Sequence, residues 1–331
     1  MKRLTVLLCL LLLAGCGETA VVREPGVQVE GASESAPTPG APVTDGAVRI
    51  AVVTHGPASS KFWAIIRNGV DSAARRLDVL VDYKSPDVFS VERMSELIDQ
   101  AVATKPDGLV VSIPSEGLAP AIRRAVAAGI PVVSINSGSD IFKKLGVLAH
   151  VGQVESTAGI EAGRRLAQAG VRNALCLNQE RDNVGTNARC AGLAKAMREA
   201  GGRGRTLPIV DDDPRTPSLI ARAVSEAHAD GVLATNSVGG LAAAKGLAGS
   251  GVKIGTFDLG PDVLKAVEAG QIGFAVDQQA YLQGYLPIEM LALRARYGVL
   301  PAQHDVIATG PNFVTRENAA QALELSERSI R

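Results

Sequence analysis

The segments "DGLVVSIPSEGLAPAIRRAVAAGIPVVSIN" (residues 107–136) and "DGVLATNSVGGLAAAKGLAGSGVKIGTFD" (residues 230–258) decide the fold. Each opens on Asp-Gly, runs through a short continuous apolar stretch, continues as a helical pattern and ends in a second apolar stretch. Asp107-Gly108 falls on Asp230-Gly231, and Gly117-Leu118-Ala119 on Gly240-Leu241-Ala242, at one offset of 123 residues. After a gap of one residue, Gly129 falls on Gly251 and Asn136 on Asp258. Further upstream, Gly69 falls on Gly192. Unrelated strand–helix–strand units can share such a pattern. The alternative is one α/β design used twice, with a break near Ala149–Gln153 and a cleft between the copies.

The rest of the chain continues the alternation. Apolar runs occur at 48–54, 78–83, 108–113, 130–135, 174–179, 231–235, 252–257 and 272–277. Most are apolar throughout, which suits parallel strands covered on both faces. Between them lie amphipathic stretches such as "VERMSELIDQAVA" (91–103). The fold class expected is α/β, with two Rossmann-like lobes built on parallel sheets.

The N-terminus carries an address. In "MKRLTVLLCLLLLAGCG", Lys2 and Arg3 precede a short apolar run, too short to span a membrane and typical of a secretory signal. "LAGC" (13–16) resembles a bacterial lipobox, in which cleavage precedes a lipidated cysteine, here Cys16. Ordinary cleavage near Ala14 is the alternative. Residues 1–15 are thus read as signal and 16–46 as lipidated cysteine plus a Pro/Gly/Ala/Ser-rich tether. About 30 tether residues reach on the order of 30 Å. Acyl chains would hold the protein at the cell envelope, on a membrane surface, without spanning it.

Charge excludes some partners. The chain has 34 basic and 34 acidic residues, and loss of Lys2 and Arg3 leaves a net charge of about −2. No basic face for nucleic acid is implied. Cys176 and Cys190 remain in an export compartment where disulfides persist. One sits in an expected strand and the other in the next helix; a bridge and two buried thiols are both open.

Ligands of open α/β sheets bind outside the carboxyl ends of the strands. The residues there are Thr54 and His55, Ser112, Asn136, Gln179 and Glu180, Asn236, Asp258, Gln278 and Gln279, with Asn187 and Arg189 in the "NVGTNAR" segment. Any one of them can be a turn or cap residue. Together, planar amides, a carboxylate and a guanidinium offer forked donor and acceptor pairs that fit vicinal hydroxyls. Phe62 and Trp63 add aromatic surface just past the first strand; Trp63 is the sole tryptophan. One ring is expected toward the cleft and the other toward the core, the alternative being that both are core. That composition suits a sugar or polyol site.

At these residues the sequence resembles the type I periplasmic binding proteins of the ribose/galactose kind, the solute receptors of bacterial ABC importers, over about Val48–Val314. The resemblance implies a ligand site of Phe62, Trp63, Asn136, Arg189, Asn236, Asp258 and Gln278. It implies a three-crossover hinge near Gly152, Gln278 and Val306. The first lobe would then be 47–151 plus 279–305, and the second 152–278 plus 306–331. Ribose-type members carry Asp-Arg where this chain has Asn136-Ser137, which points away from ribose itself. "DQQAYLQGY" (277–285) is similar to polyol- and uncommon-sugar receptors, and the "FW" start also to furanone receptors.

The function expected is capture of a small sugar or polyol and delivery to ABC permease subunits, by a monomer without cofactor or metal. A same-fold receptor docking to a chemoreceptor or sensor kinase is the alternative. An enzyme is disfavoured, because His55, His150, His228 and His304 show no nucleophile–base spacing. Asp211-Asp212-Asp213 before Pro214 reads as a solvated loop and helix start rather than a metal site. "GGRGR" (201–205) reads as a helix stop plus a turn. Arg189→Ala and Asp258→Ala are each expected to abolish binding and leave the fold intact.

Overall fold

The computed structural model describes residues 46–57 and 60–331. The signal, Cys16 and the tether through residue 45 lie outside the described residues, as do Ala58 and Ser59. The first lobe runs through β1 (Val48–Val53), α1 (Lys61–Leu77), β2 (Val79–Lys84), α2 (Val91–Ala103), β3 (Gly108–Ser112), α3 (Ala119–Ala127), β4 (Val132–Ile135) and β5 (Ala149–Gly152). The second begins with α4 (Glu155–Gln168), β6 (Asn173–Asn178), α5 (Val184–Glu199), β7 (Arg203–Pro208) and α6 (Thr216–Ala227). It continues through β8 (Gly231–Ala234), α7 (Ser237–Gly246), β9 (Lys253–Phe257), α8 (Pro261–Glu268) and β10 (Phe274–Asp277). The last elements are α9 (Ala280–Tyr297), β11 (Asp305–Ala308), β12 (Asn312–Val314) and α10 (Ala319–Glu327).

Two six-stranded sheets result, in the orders β2-β1-β3-β4-β5-β11 and β7-β6-β8-β9-β10-β12. All pairings are parallel except β12 on β10. The orders match strand for strand, so the sequence repeat is a structural repeat. Its Asp-Gly signature has a physical cause. Asp107 accepts the backbone N–H of Arg49 at 2.8 Å, and Asp230 accepts those of Arg172 and Asn173 at 2.9 and 2.7 Å. Each aspartate thereby locks the start of the central strand to its neighbour.

Continuous apolar strands are buried because helices cover both faces. In the first lobe α1 and α9 pack on one face, and α2 and α3 on the other. In the second, α4 and α5 cover one face, and α6, α7, α8 and α10 the other. Two helix pairs cross at backbone distance, and glycine permits it. A β-carbon on Gly69 or Gly284 would collide with the Tyr281 or Ile66 carbonyl between α1 and α9. A β-carbon on Gly159 or Gly192 would collide with the Arg189 or Ser156 carbonyl between α4 and α5.

Three expectations change. "GGRGR" is not only a stop and turn: Gly201 ends the helix with φ 75°, but Arg203 already begins β7. This strand is polar and ends on Pro208, as suits a sheet edge protected from further pairing. The last crossing comes later than Val306, because Val306–Ala308 pair with β5 in the first sheet. The helix after the triple aspartate starts at Thr216, with Pro217 in its first turn.

Cys176 and Cys190 are joined in a disulfide between β6 and α5, with Cα atoms 5.5 Å apart and a sequence separation of 14. Closing a loop of that length contributes about 3 kcal/mol by restricting the unfolded chain. The Cys176→Ala/Cys190→Ala double variant is expected to melt of order 5–10 °C lower in calorimetry while still binding ligand. An unchanged melting temperature would mean that the bridge does not stabilise the lobe.

Candidate functional site

A cavity of about 360 Å³, counted with its solvent-open mouth, lies where the carboxyl ends of both sheets meet. The first lobe lines it with His55, Phe62, Trp63, Asn136 and Ser137. The second contributes Gln179, Glu180, Asn183, Thr186, Arg189, Thr235 and Asp258, and Gln278 stands at the end of β10.

Arg189 projects from α5, whose start is fixed by the Asn183 side chain accepting the Gly185 N–H at 2.8 Å. The Gly159–Gly192 crossing brings α4 close enough for Glu155 to meet it. Arg189 Nε and Nη2 donate to the two carboxylate oxygens of Glu155 at 2.5 and 2.9 Å, and Nη1 donates to the Thr235 carbonyl at 2.8 Å. The guanidinium also lies 4.3 Å from the centre of the Phe257 ring. Burial alone pulls its pKa down; the charge and hydrogen bonds of Glu155 outweigh that and leave it raised. Three of five N–H groups are engaged, so two remain for a ligand.

Asn136 and Asp258, equivalent in the repeat, end β4 and β9 in the left-handed region, with φ 61° and 67°. Asn and Asp tolerate that conformation, and it turns their side chains across the sheet edge. Gln278 bridges them, accepting from Asn136 Nδ2 at 3.2 Å and donating to Asp258 at 2.6 Å. Burial raises the Asp258 pKa to about 6, against the opposing pull of Arg189 and Gln278.

The aromatic wall is ordered around His55. Trp63 meets the His55 ring edge-on at 4.7 Å between centres, and Phe62 meets Trp63 at 5.4 Å. A β-carbon at Gly56 would run into the indole, so only glycine lets Trp63 lie there. His55 Nδ1 is 2.8 Å from Ser112 Oγ, and Nε2 faces the Asn183 amide nitrogen at 3.4 Å. Burial lowers the His55 pKa, partly offset by Glu180, so the ring is neutral near pH 7. Ser112 is fully buried and also accepts the His55 backbone N–H at 3.0 Å. It holds the ring and is not presented to the cavity.

The lobes touch directly. Val184 N–H donates to the Pro114 carbonyl at 2.8 Å, and Ser137 Oγ to Asn183 Oδ1 at 3.1 Å.

The family described as "Periplasmic binding protein domain" matches residues 50–298. The chain belongs to this family. Its members act outside the cytoplasm, and the two-lobed α/β fold expected from sequence is theirs. Among solved structures, a carbohydrate transporter from Acidothermus cellulolyticus 11B in complex with myo-inositol is 34% identical, with a TM-score of 0.81, covering 86% of this chain and 100% of that one. An ABC sugar transporter (periplasmic sugar binding protein) from Legionella pneumophila is 22% identical, with a TM-score of 0.73 and coverage of 80% and 99%. A solute binding protein from Burkholderia graminis C4D1M in complex with D-arabinose is 23% identical, with a TM-score of 0.73 and coverage of 82% and 96%. The last two share the fold. Among curated proteins, none matches the chain.

Within the family fold, six of the seven residues picked from sequence line the cavity: Phe62, Trp63, Asn136, Arg189, Asp258 and Gln278. Trp63 does double duty, 6% exposed and packed into the first lobe's core. Asn236 is a correction. Its Oδ1 caps α7 by accepting the Gly239 N–H at 2.8 Å, and its Nδ2 donates to Asp211 at 2.5 Å, so the side chain is spent on local structure. Within the acidic triplet, burial raises the Asp211 pKa to about 6, and Asp213 is held by Arg215. His55, Gln179 and Glu180, residues at strand ends, line the cavity too. Asn183, Thr186 and Thr235 complete the lining without having been expected there, and of these only Thr235 carries a sequence signal, directly following an apolar strand. Glu155 gave no local signal.

Arg189→Ala does not leave the fold untouched. It strands the Glu155 carboxylate, 1% exposed, without its cation, and breaking a buried pair costs about 3–5 kcal/mol. Asp258 makes a signed prediction. Its pKa rises from 3.8 to about 6, so its contribution to stability is present below pH ~4 and is lost as pH rises through about 6. In the unliganded protein, Asp258→Asn is expected to remove roughly 2–3 kcal/mol of that dependence. The Asp211 contribution remains in the same window. Melting temperature against pH from 4 to 7 would flatten; an unchanged profile would place Asp258 in solvent.

Proposed function

We propose that the protein is the lipid-anchored solute receptor of an ABC importer, capturing a sugar or cyclic polyol between its lobes and presenting it to membrane permease subunits. The observation that carries this is the cavity's composition. Amides, hydroxyls, the carboxylates of Asp258 and Glu180 and two spare guanidinium N–H groups converge from both lobes on a space walled by Trp63, Phe62 and His55. Forked polar groups pair with ring hydroxyls while an aromatic face covers ring C–H groups. The 34% identical carbohydrate transporter in complex with myo-inositol supports a cyclic polyol as first candidate. Closure by hinge motion buries such a ligand. The lipobox-like "LAGC" supports anchoring through Cys16.

The test uses the mature chain carrying Cys16→Ser, so that it stays unlipidated. Titration with myo-inositol, pentoses, hexoses and linear polyols is expected to change Trp63 fluorescence saturably for one class. The same ligand should raise the melting temperature, with roughly 2.7 kcal/mol of stabilisation at a hundredfold excess over Kd. Silence in both readouts across the panel would reject the solute reading. Mass spectrometry of the native N-terminus should find diacylated Cys16; an unmodified terminus would remove the anchor.

A further inference from the structure

Glu155 lies behind the cavity wall and is not needed to contact a ligand. Yet it is 1% exposed and devotes both carboxylate oxygens to Arg189, at 2.5 and 2.9 Å. Gln153 Nε2 donates to the same carboxylate at 3.0 Å and fixes its orientation. A guanidinium lining a buried cleft would otherwise be a natural receptor for a carboxylate or phosphate, which it binds bidentately. Here Glu155 already occupies that role from inside the protein.

We propose that Glu155 sets the charge selectivity of the cleft, by neutralising Arg189 so that uncharged ligands are taken and anionic sugars are refused. This rests on the solute-receptor function proposed above and names the ligand class of that site. The balance of charge follows from the contacts. Arg189 is positive and Glu155 negative; Asp258 faces the cavity as a second carboxylate, and Glu180 stands half-exposed at the mouth, 4.0 Å from His55. Among the described residues, no other cationic side chain lines the cavity. An entering anion therefore meets one cation, already held by the Glu155 carboxylate, and two further carboxylates. Like charges brought together in a desolvated site are strongly disfavoured. The two spare Arg189 N–H groups act as plain donors to hydroxyl oxygens, without a net field calling for an anion. Glu155 is thus a positioning and specificity residue that works through Arg189.

The experiment compares neutral probes (myo-inositol, D-glucose, D-galactose) with anionic ones (D-glucuronate, D-galacturonate) on the wild type and on Glu155→Gln, by calorimetric titration, with circular dichroism confirming the fold. Wild type is expected to bind a neutral probe and to refuse the uronates. In Glu155→Gln the ratio of uronate to neutral affinity should rise about tenfold or more. A purely structural role for Glu155 would weaken both classes together and leave the ratio unchanged, which overturns the proposal. A wild type that binds a uronate as tightly as its neutral ligand overturns it too, and this arm decides alone should Glu155→Gln fail to fold. If none of these neutral probes binds the wild type, the ligand found in the panel above takes their place, and silence across that whole panel is the result by which the solute-receptor reading fails. Uronate uptake gained by Glu155→Gln is read without that ligand, so the two failures are distinguishable.

Discussion

The buried ion pair between Arg189 and Glu155 is the interaction on which the cleft depends. It joins α5 to α4, and it exists only because Gly159 and Gly192 let the two helices cross at backbone distance. The pair aims the guanidinium, and the Thr235 carbonyl and the Phe257 ring complete its shell. A lone buried arginine or glutamate would be costly. Held together, they give the site a donor that is fixed before any ligand arrives, and a preorganised donor loses little freedom when a ligand binds.

The second constraint is the repeat. Two sheets of identical strand order present equivalent strand ends to one space. Asn136 and Asp258 occupy the same left-handed position at the ends of β4 and β9. Their chemistry has diverged while their geometry has not: one is an amide, the other a carboxylate whose pKa burial raises to about 6. Gln278 touches both, so one side chain at the crossing between the lobes ties the two halves of the site. A change of lobe angle must therefore be felt at Gln278.

Much of this was legible in the residues. Continuous apolar strands between amphipathic helices specified covered parallel sheets, and the resemblance to the ribose/galactose-type receptors pointed to six of the residues that line the cavity. What was missed shares a cause. β5, β11 and β12 are three or four residues long, and β7 is a polar edge, so none carries an apolar run. Asn236 was misassigned because an Asn after a strand serves equally as a helix cap, and sequence does not say which way the side chain turns. Glu155 opens an ordinary helix; only the α4–α5 crossing makes it a partner of Arg189. The disulfide was open on sequence because strand–helix proximity is a matter of packing.

The contacts between lobes bear on how binding and closure are linked. Val184–Pro114, Ser137–Asn183 and His55–Asn183 are protein–protein bonds that need no ligand. Each ties the two lobes together in the arrangement seen here. Asn183 sits at the centre of these contacts: it caps α5, receives Ser137 and faces His55. The residue that starts the helix carrying Arg189 thus also touches the opposite lobe. The contact between the lobes and the start of the helix that places Arg189 therefore share a single side chain, so a substitution at Asn183 acts on both at once.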